Sequence, residues 1–159
     1  TSVASAMFFI ASFIHIPFGV TQIHLILLGV IGILISWSSF VAIFVALLLQ
    51  ALLLGYGGIS SLGVNLFIMA MPAVMVYYLY NLQIVKKLSD KIRFFLVGFF
   101  GTFFATLFLT LILYFSKQEY DYAAFSIFTI NIITMVIEAI VSMFLLLFIK
   151  KVYPKILKV

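Results

Sequence analysis

Long apolar runs, almost free of charge and each closed by a cluster of Gly, Ser, Lys or Arg, recur along the whole of this 159-residue chain. At about 1.5 Å per helical residue, a run of roughly 18 residues crosses a hydrocarbon layer about 30 Å thick. Inside such a layer every peptide group must find its partner within the protein, which leaves helices or a closed barrel. The runs lack the in/out alternation of barrel strands, and Leu, Ile, Phe and Val fill every face. The expected fold class is therefore all-α: a polytopic transmembrane helical bundle, a single domain over residues 1–159. Composition agrees, since charged residues are 8% of the chain against about a quarter in soluble domains.

Six spans are expected, over residues 2–17, 20–36, 40–55, 64–84, 94–116 and 123–149. Pro17 and Gly19 stop the first run. The second is 17 residues long, about 25 Å, and is either a short crossing or a helix that dips into the bundle. "SWSS" at 36–39 and "GYGGISSLG" at 55–63 read as loops. Four Lys/Arg lie in 86–93 and four in 150–158, whereas the 117–122 loop carries one Lys against two acids. By the bias of basic residues toward the cytoplasm, the first two segments face inward, and so does the C-terminus. Counting back, Thr1 and "SWSS" lie inside, while the turn before His24 and "GYGG" lie outside. No repeat, second domain or signal-peptide anatomy is visible.

The composition excludes much chemistry. With no cysteine there are no disulfides, thiolate metal sites or thiol nucleophiles. The net charge of +5 marks helix ends rather than a nucleic-acid partner. No Walker loop, nucleophile elbow or HExxH pair is present, so an enzyme is not expected. Any energy for transport comes from a partner or a gradient.

Few polar side chains remain. His24 opens an apolar run at the outer membrane edge; neutral imidazole suits Co, Ni, Cu and Zn, although an interfacial His that bonds a carbonyl fits the same position. His15, at the tail of the first run, is a weaker ligand candidate. Two imidazoles do not complete a coordination shell, so further ligands must come from elsewhere. Glu138 is an acid deep in a predicted span, where an ionised side chain costs about 2.5 kcal/mol or more. It needs a function or a partner, such as Asn131, Thr134 or Gln50, and Asn131 lies two turns earlier on the same face. Met69, Met71 and Met75 offer thioethers for Cu(I), but methionine more often fills gaps between helices. Asn65 and Gln50 are suited to holding loops or helices together. Ala42 and Ala46, four apart, let another helix approach closely.

The stretches "IPFGVTQIHLILLG", "LLLQALLLGYGGISSLGVNLFIMAMPAV" and "VIEAIVSMFLLLFIKKVYPKIL", taken in order, resemble the cobalt/nickel-binding membrane component of energy-coupling-factor transporters, the CbiM/NikM family. The middle block carries the most specific pattern: Gln50, Gly57 and Gly58, then Leu62, Gly63 and Asn65, with Met69 following. The resemblance implies capture of Co(II) or Ni(II) as substrate near the outer face, with no prosthetic group. In that family the ligands are an N-terminal amine, a histidine just after the initiator Met, and a histidine in a later turn, which His24 matches. No Met-His helix stands in residues 1–159, so the remaining ligands are expected from a segment ahead of Thr1. With Thr1 inside, one more helix would bring that segment outside, beside His24.

Smaller departures are Asn131, where the family often has His, and "EA" at Glu138 and Ala139 in place of "EG". Together with Gln22, Gln50 and Asn65, these residues are expected to support the ligands or pack the bundle. "VTQIHL" lacks the usual Gly-Thr-Ser run, and its His-Leu pair leans toward cobalt. The resemblance further implies a transmembrane coupling subunit and cytoplasmic ATPase subunits as partners, in the cytoplasmic membrane of a bacterium or archaeon. Two other functions fit the residues: a stand-alone permease driven by protons through Glu138, and a structural membrane subunit.

Overall fold

The computed structural model describes residues 2, 5, 6, 9, 10, 15–18, 21–24, 26–55, 58–116 and 121–157. Residues 2, 5, 6, 9 and 10 are helical, and after them come two short strands, β1 (His15–Phe18) and β2 (Thr21–His24), paired antiparallel. Six helices follow: α1 (Leu28–Ile35), α2 (Ser39–Leu54), α3 (Leu62–Asn81), the single turn α4 (Gln83–Lys86), α5 (Asp90–Ser116) and α6 (Asp121–Val152). A 3-10 turn, Ser36–Ser38, joins α1 to α2.

Among the described residues four stretches are, by length and composition, apolar enough to cross a membrane: Leu28–Leu53, which takes in both α1 and α2, Leu62–Asn81, Asp90–Phe115 and Phe128–Val152. The helical, multi-pass character expected from the sequence holds, with the addition of the ribbon, but the count of six spans is not recovered. Half of the run 2–17 lies outside the described residues; within it, 2, 5, 6, 9 and 10 are helical and 15–17 belong to β1. The run 20–36 is no separate span: it enters as a strand, and α1 has eight residues, about 12 Å. That fits the alternative of a helix that dips into the bundle.

The turn between α1 and α2 reverses the chain. Ser36 takes a positive φ of 48°, and the Trp37 indole N–H donates to the Tyr78 hydroxyl at 2.9 Å, close to the C-terminal end of α3. From there α2 can lie along α3 only by running back beside it, and its Ile43, Ala46 and Leu47 share a buried cluster with Ala70 and Ala73 of α3.

Helices apolar on all sides carry no stripe to orient them, so close backbone approach at small residues does so. A Cβ on Gly32 of α1 would drive into the Ala73 carbonyl of α3, and one on Gly29 into the Val97 carbonyl of α5. On α5, Gly101 faces Gly29, while a Cβ on Gly98 would sit 2.6 Å from the Glu138 carbonyl of α6. Helix α1 is thus seated between α3 and α5, with α6 packed on α5 close beside it.

The basic end is tied separately. Lys150 and Asp90 form an ion pair at 2.5 Å, and the Arg93 guanidinium lies 3.6 Å over the Tyr80 ring and donates to the Tyr80 carbonyl. Gly101 is eleven residues along α5 from Asp90, about 17 Å at helical rise. The start of α1 therefore lies near mid-depth of the bundle.

Replacing Gly32 by Leu should lower the stability in detergent micelles by about 1–3 kcal/mol or more, because backbone rather than a movable side chain blocks the space. Gly63, where a Cβ would meet nothing within 4 Å, should accept Ala without loss. Thermal unfolding of the two variants checks this, and equal melting temperatures would refute the close approach.

Candidate metal site

The ribbon brings together two residues that the sequence keeps nine positions apart. Its register pairs His15 with His24, Ile16 with Ile23, Pro17 with Gln22 and Phe18 with Thr21. Opposed pairs in an antiparallel ladder alternate between hydrogen-bonded and non-hydrogen-bonded. Proline has no N–H, so it is tolerated where the ladder asks for none. That makes Pro17–Gln22 a non-hydrogen-bonded pair, and His15–His24, two residues along, another. Such pairs are the closely spaced ones, with Cα atoms about 4.5 Å apart.

Glu138 of α6 is the residue that fixes this ribbon to the bundle. It is 1% exposed. One carboxylate oxygen accepts the backbone N–H groups of Ile26 and Leu27, and the other accepts Leu27 as well, at 3.1 Å. Ile26 and Leu27 are the second and third residues after His24. They also precede the first turn of α1, whose leading N–H groups have no partner within their own helix. A carboxylate at a helix N-terminus satisfies those donors and sits at the positive end of the helix dipole. Leu27 holds a left-handed φ of 55°, uncommon for a residue with a branched side chain. The chain thus leaves the ribbon in a fixed turn.

For Glu138 the structure corrects the sequence expectation. An inward-facing acid with a partner is right, but the partners are main-chain amides and not the side chains of Gln50, Asn131 or Thr134. Thr134, Glu138 and Ser142 are buried at four-residue spacing on one face of α6. That is the inward polar stripe anticipated from Asn131, which itself is half-buried at the stripe's N-terminal end.

The remaining candidates are dispersed. Gln50 is buried on α2. Asn65, in the first turn of α3, donates to the Ser61 hydroxyl at 3.4 Å, a local role in shaping the preceding loop. Met69 packs against the cluster around Ala70 and Ile43, as a gap-filling methionine does. Gln22 stands on β2 opposite Pro17. Gly57 and most of the segment ahead of His15 lie outside the described residues.

Removing the carboxylate strands two part-buried N–H groups, each worth up to about 1–3 kcal/mol. Glu138→Ala should therefore destabilise the protein by several kcal/mol, and Glu138→Gln, which keeps one acceptor oxygen, by about half as much. Hydrogen exchange provides the local check: the Ile26 and Leu27 amides should lose protection in both variants while those of α5 keep theirs.

Known proteins resemble this chain along nearly all of its length. A protein of Haemophilus influenzae, whose name assigns it provisionally to metal transport, is 31% identical over 161 residues, covering 99% of this chain and 78% of its own length. No solved structure matches. Residues 1–156 match the family CbiM, described as the cobalt uptake substrate-specific transmembrane region. On the strength of that match, this chain belongs to the CbiM family of cobalt-uptake membrane components.

Proposed function

We propose that this protein is the substrate-capture subunit of an energy-coupling-factor importer of Co(II), with Ni(II) as the next ion taken. His24 is a metal ligand. The ion enters from the face opposite the basic helix ends, which lie in the cytoplasm of a bacterium or archaeon together with the C-terminus. A transmembrane coupling subunit and cytoplasmic ATPase subunits supply the work, and the subunit itself carries out no catalysis. Gln22, Gln50, Asn65, Asn131 and Glu138 position the ligands or the helices that carry them.

The observation that carries this reading is the hold of Glu138 on the main chain just after His24. Divalent ions bind nitrogen sites with copper ahead of nickel and cobalt whenever the ligands are free to adapt. A site that is to favour cobalt needs geometry imposed on it, and a strand ending in a buried, hydrogen-bonded anchor imposes it. The same anchor argues against a proton-driven permease: both oxygens of Glu138 accept hydrogen bonds, so cyclic protonation there would release the start of α1 at every turnover.

Isothermal titration of the intact gene product in micelles with CoCl2 and NiCl2 tests the reading. Saturable binding is expected, tighter for cobalt, and lost in His24→Ala. In proteoliposomes, metal uptake should require the partner subunits and ATP. Uptake by this protein alone under a pH gradient, abolished by Glu138→Gln, would instead establish the permease.

A further inference from the structure

The proposed function assigns one protein side chain, His24, to the ion. The ribbon's register adds a second. With period-2 alternation, His15, Pro17, Gln22 and His24 fall on one face of the ribbon, and Ile16, Phe18, Thr21 and Ile23 on the other. The chain has two histidines in all, and their positions share one face at the same level.

Directly opposed residues of a non-hydrogen-bonded pair have their Cβ atoms about 4.5–5.5 Å apart. Metal–imidazole bonds are about 2.0–2.1 Å long, so two imidazoles rooted at that spacing can share one ion. A packing role does not call for this arrangement. Two imidazoles placed side by side gain nothing from each other as apolar filler, and like charges directly opposite destabilise a ladder whenever both are protonated. A divalent cation turns the same placement into an advantage, because it binds both rings in their neutral form.

The ribbon's surroundings point the same way. It joins α1 near mid-depth, and a two-stranded ribbon has two open edges that hydrocarbon cannot satisfy. Non-helical backbone at such depth must lie against protein or line a water-filled cavity.

We propose that His15 is a second protein ligand of the transported ion, paired with His24 across the ribbon as a two-imidazole clip for Co(II) or Ni(II). This rests on the proposed metal-capture function. Gln22, on the same face, lies beside the clip. Further donors or water complete the coordination.

Two experiments on the intact chain test it. The chain has no native cysteine, so the double variant His15→Cys/His24→Cys reports the register directly. A mild oxidant should close a disulfide between the two positions, since opposed Cα atoms fall within the bridging range. No cross-link in folded protein would overturn the pairing.

In the second experiment Co(II) is the probe, read by titration and by X-ray absorption at the cobalt edge. Loss of a mere supporting contact to a metal ligand weakens binding by about 10–100-fold, so His15→Ala should weaken it by at least that and remove one imidazole from the cobalt shell. His15→Gln guards against a folding defect, and it should show the same spectral loss with an unchanged melting temperature. If His24→Ala abolishes binding while both His15 variants keep wild-type affinity and imidazole count, the clip is wrong and the capture function stands. If the wild-type protein takes up no Co(II), both are wrong.

Discussion

Two peptide N–H groups at mid-depth of a membrane protein are the constraint on which the rest of this structure depends. A helix that begins inside the bundle exposes leading donors that no water of the hydrocarbon layer can reach, and each one left bare costs several kcal/mol. The chain answers with Glu138, a carboxylate that would itself be too costly at that depth if it stood alone. Each group makes the other tolerable. The anion finds donors, the donors find an acceptor, and the helix dipole adds to the attraction. From this follows the starting point of α1, and with it the place where the ribbon meets the bundle.

The position of α1 in the other directions comes from packing rather than from polar contacts. Lipid tails are as apolar as the helix surfaces, so there is no hydrophobic gain in choosing one face over another. Gly29 and Gly32 let α1 approach the backbones of α5 and α3, and Gly98 lets α6 approach α5 at the level of Glu138. The four elements around the ribbon's root are therefore held at backbone-to-backbone distances. Dense packing of this kind transmits displacement instead of absorbing it. A shift of α6 against α5 carries Glu138 with it and pulls on the residues that follow His24.

Much of this is legible in the sequence, and the gaps have physical causes. The apolar runs over 64–84, 94–116 and 123–149 correspond closely to α3, α5 and α6, because length and lack of charge suffice to identify a long helix in lipid. "SWSS" marks the reversal before α2. Glu138 stands out as a costly acid, but its partners do not, since main-chain donors leave no trace in a residue string. The run 20–36 passes for a crossing because hydropathy cannot tell a helix of eight residues from the end of a longer one. The ribbon escapes notice for a related reason. Alternation of Ile16 and Phe18 with His15 and Pro17, and of Thr21 and Ile23 with Gln22 and His24, is a period-2 signal. Over four residues it is shorter than the window in which periodicity can be told from chance, and Pro17 reads equally well as the stop of a helix.

On the proposed function, in which β2 carries a metal ligand, anchoring the residues that follow it to a buried carboxylate has a consequence for transport as well as for binding. A preorganised site binds tightly because the ordering of its parts has been completed in folding, before the ion arrives. The same stiffness makes release difficult, since a rigid cage lowers the energy of the bound state without offering a path out of it. A ligand can shift an equilibrium only by its differential affinity for two states, so a capture subunit of this design cannot empty itself by binding alone. Its cage has to be opened by displacement of the elements that define it. The start of α1, held by α3, α5 and α6 together, is the point at which movement between helices would reach the ribbon with the least loss. On the proposed function, a fold that fixes the root of its ribbon through contacts among three long helices would give external work a direct route to the ion.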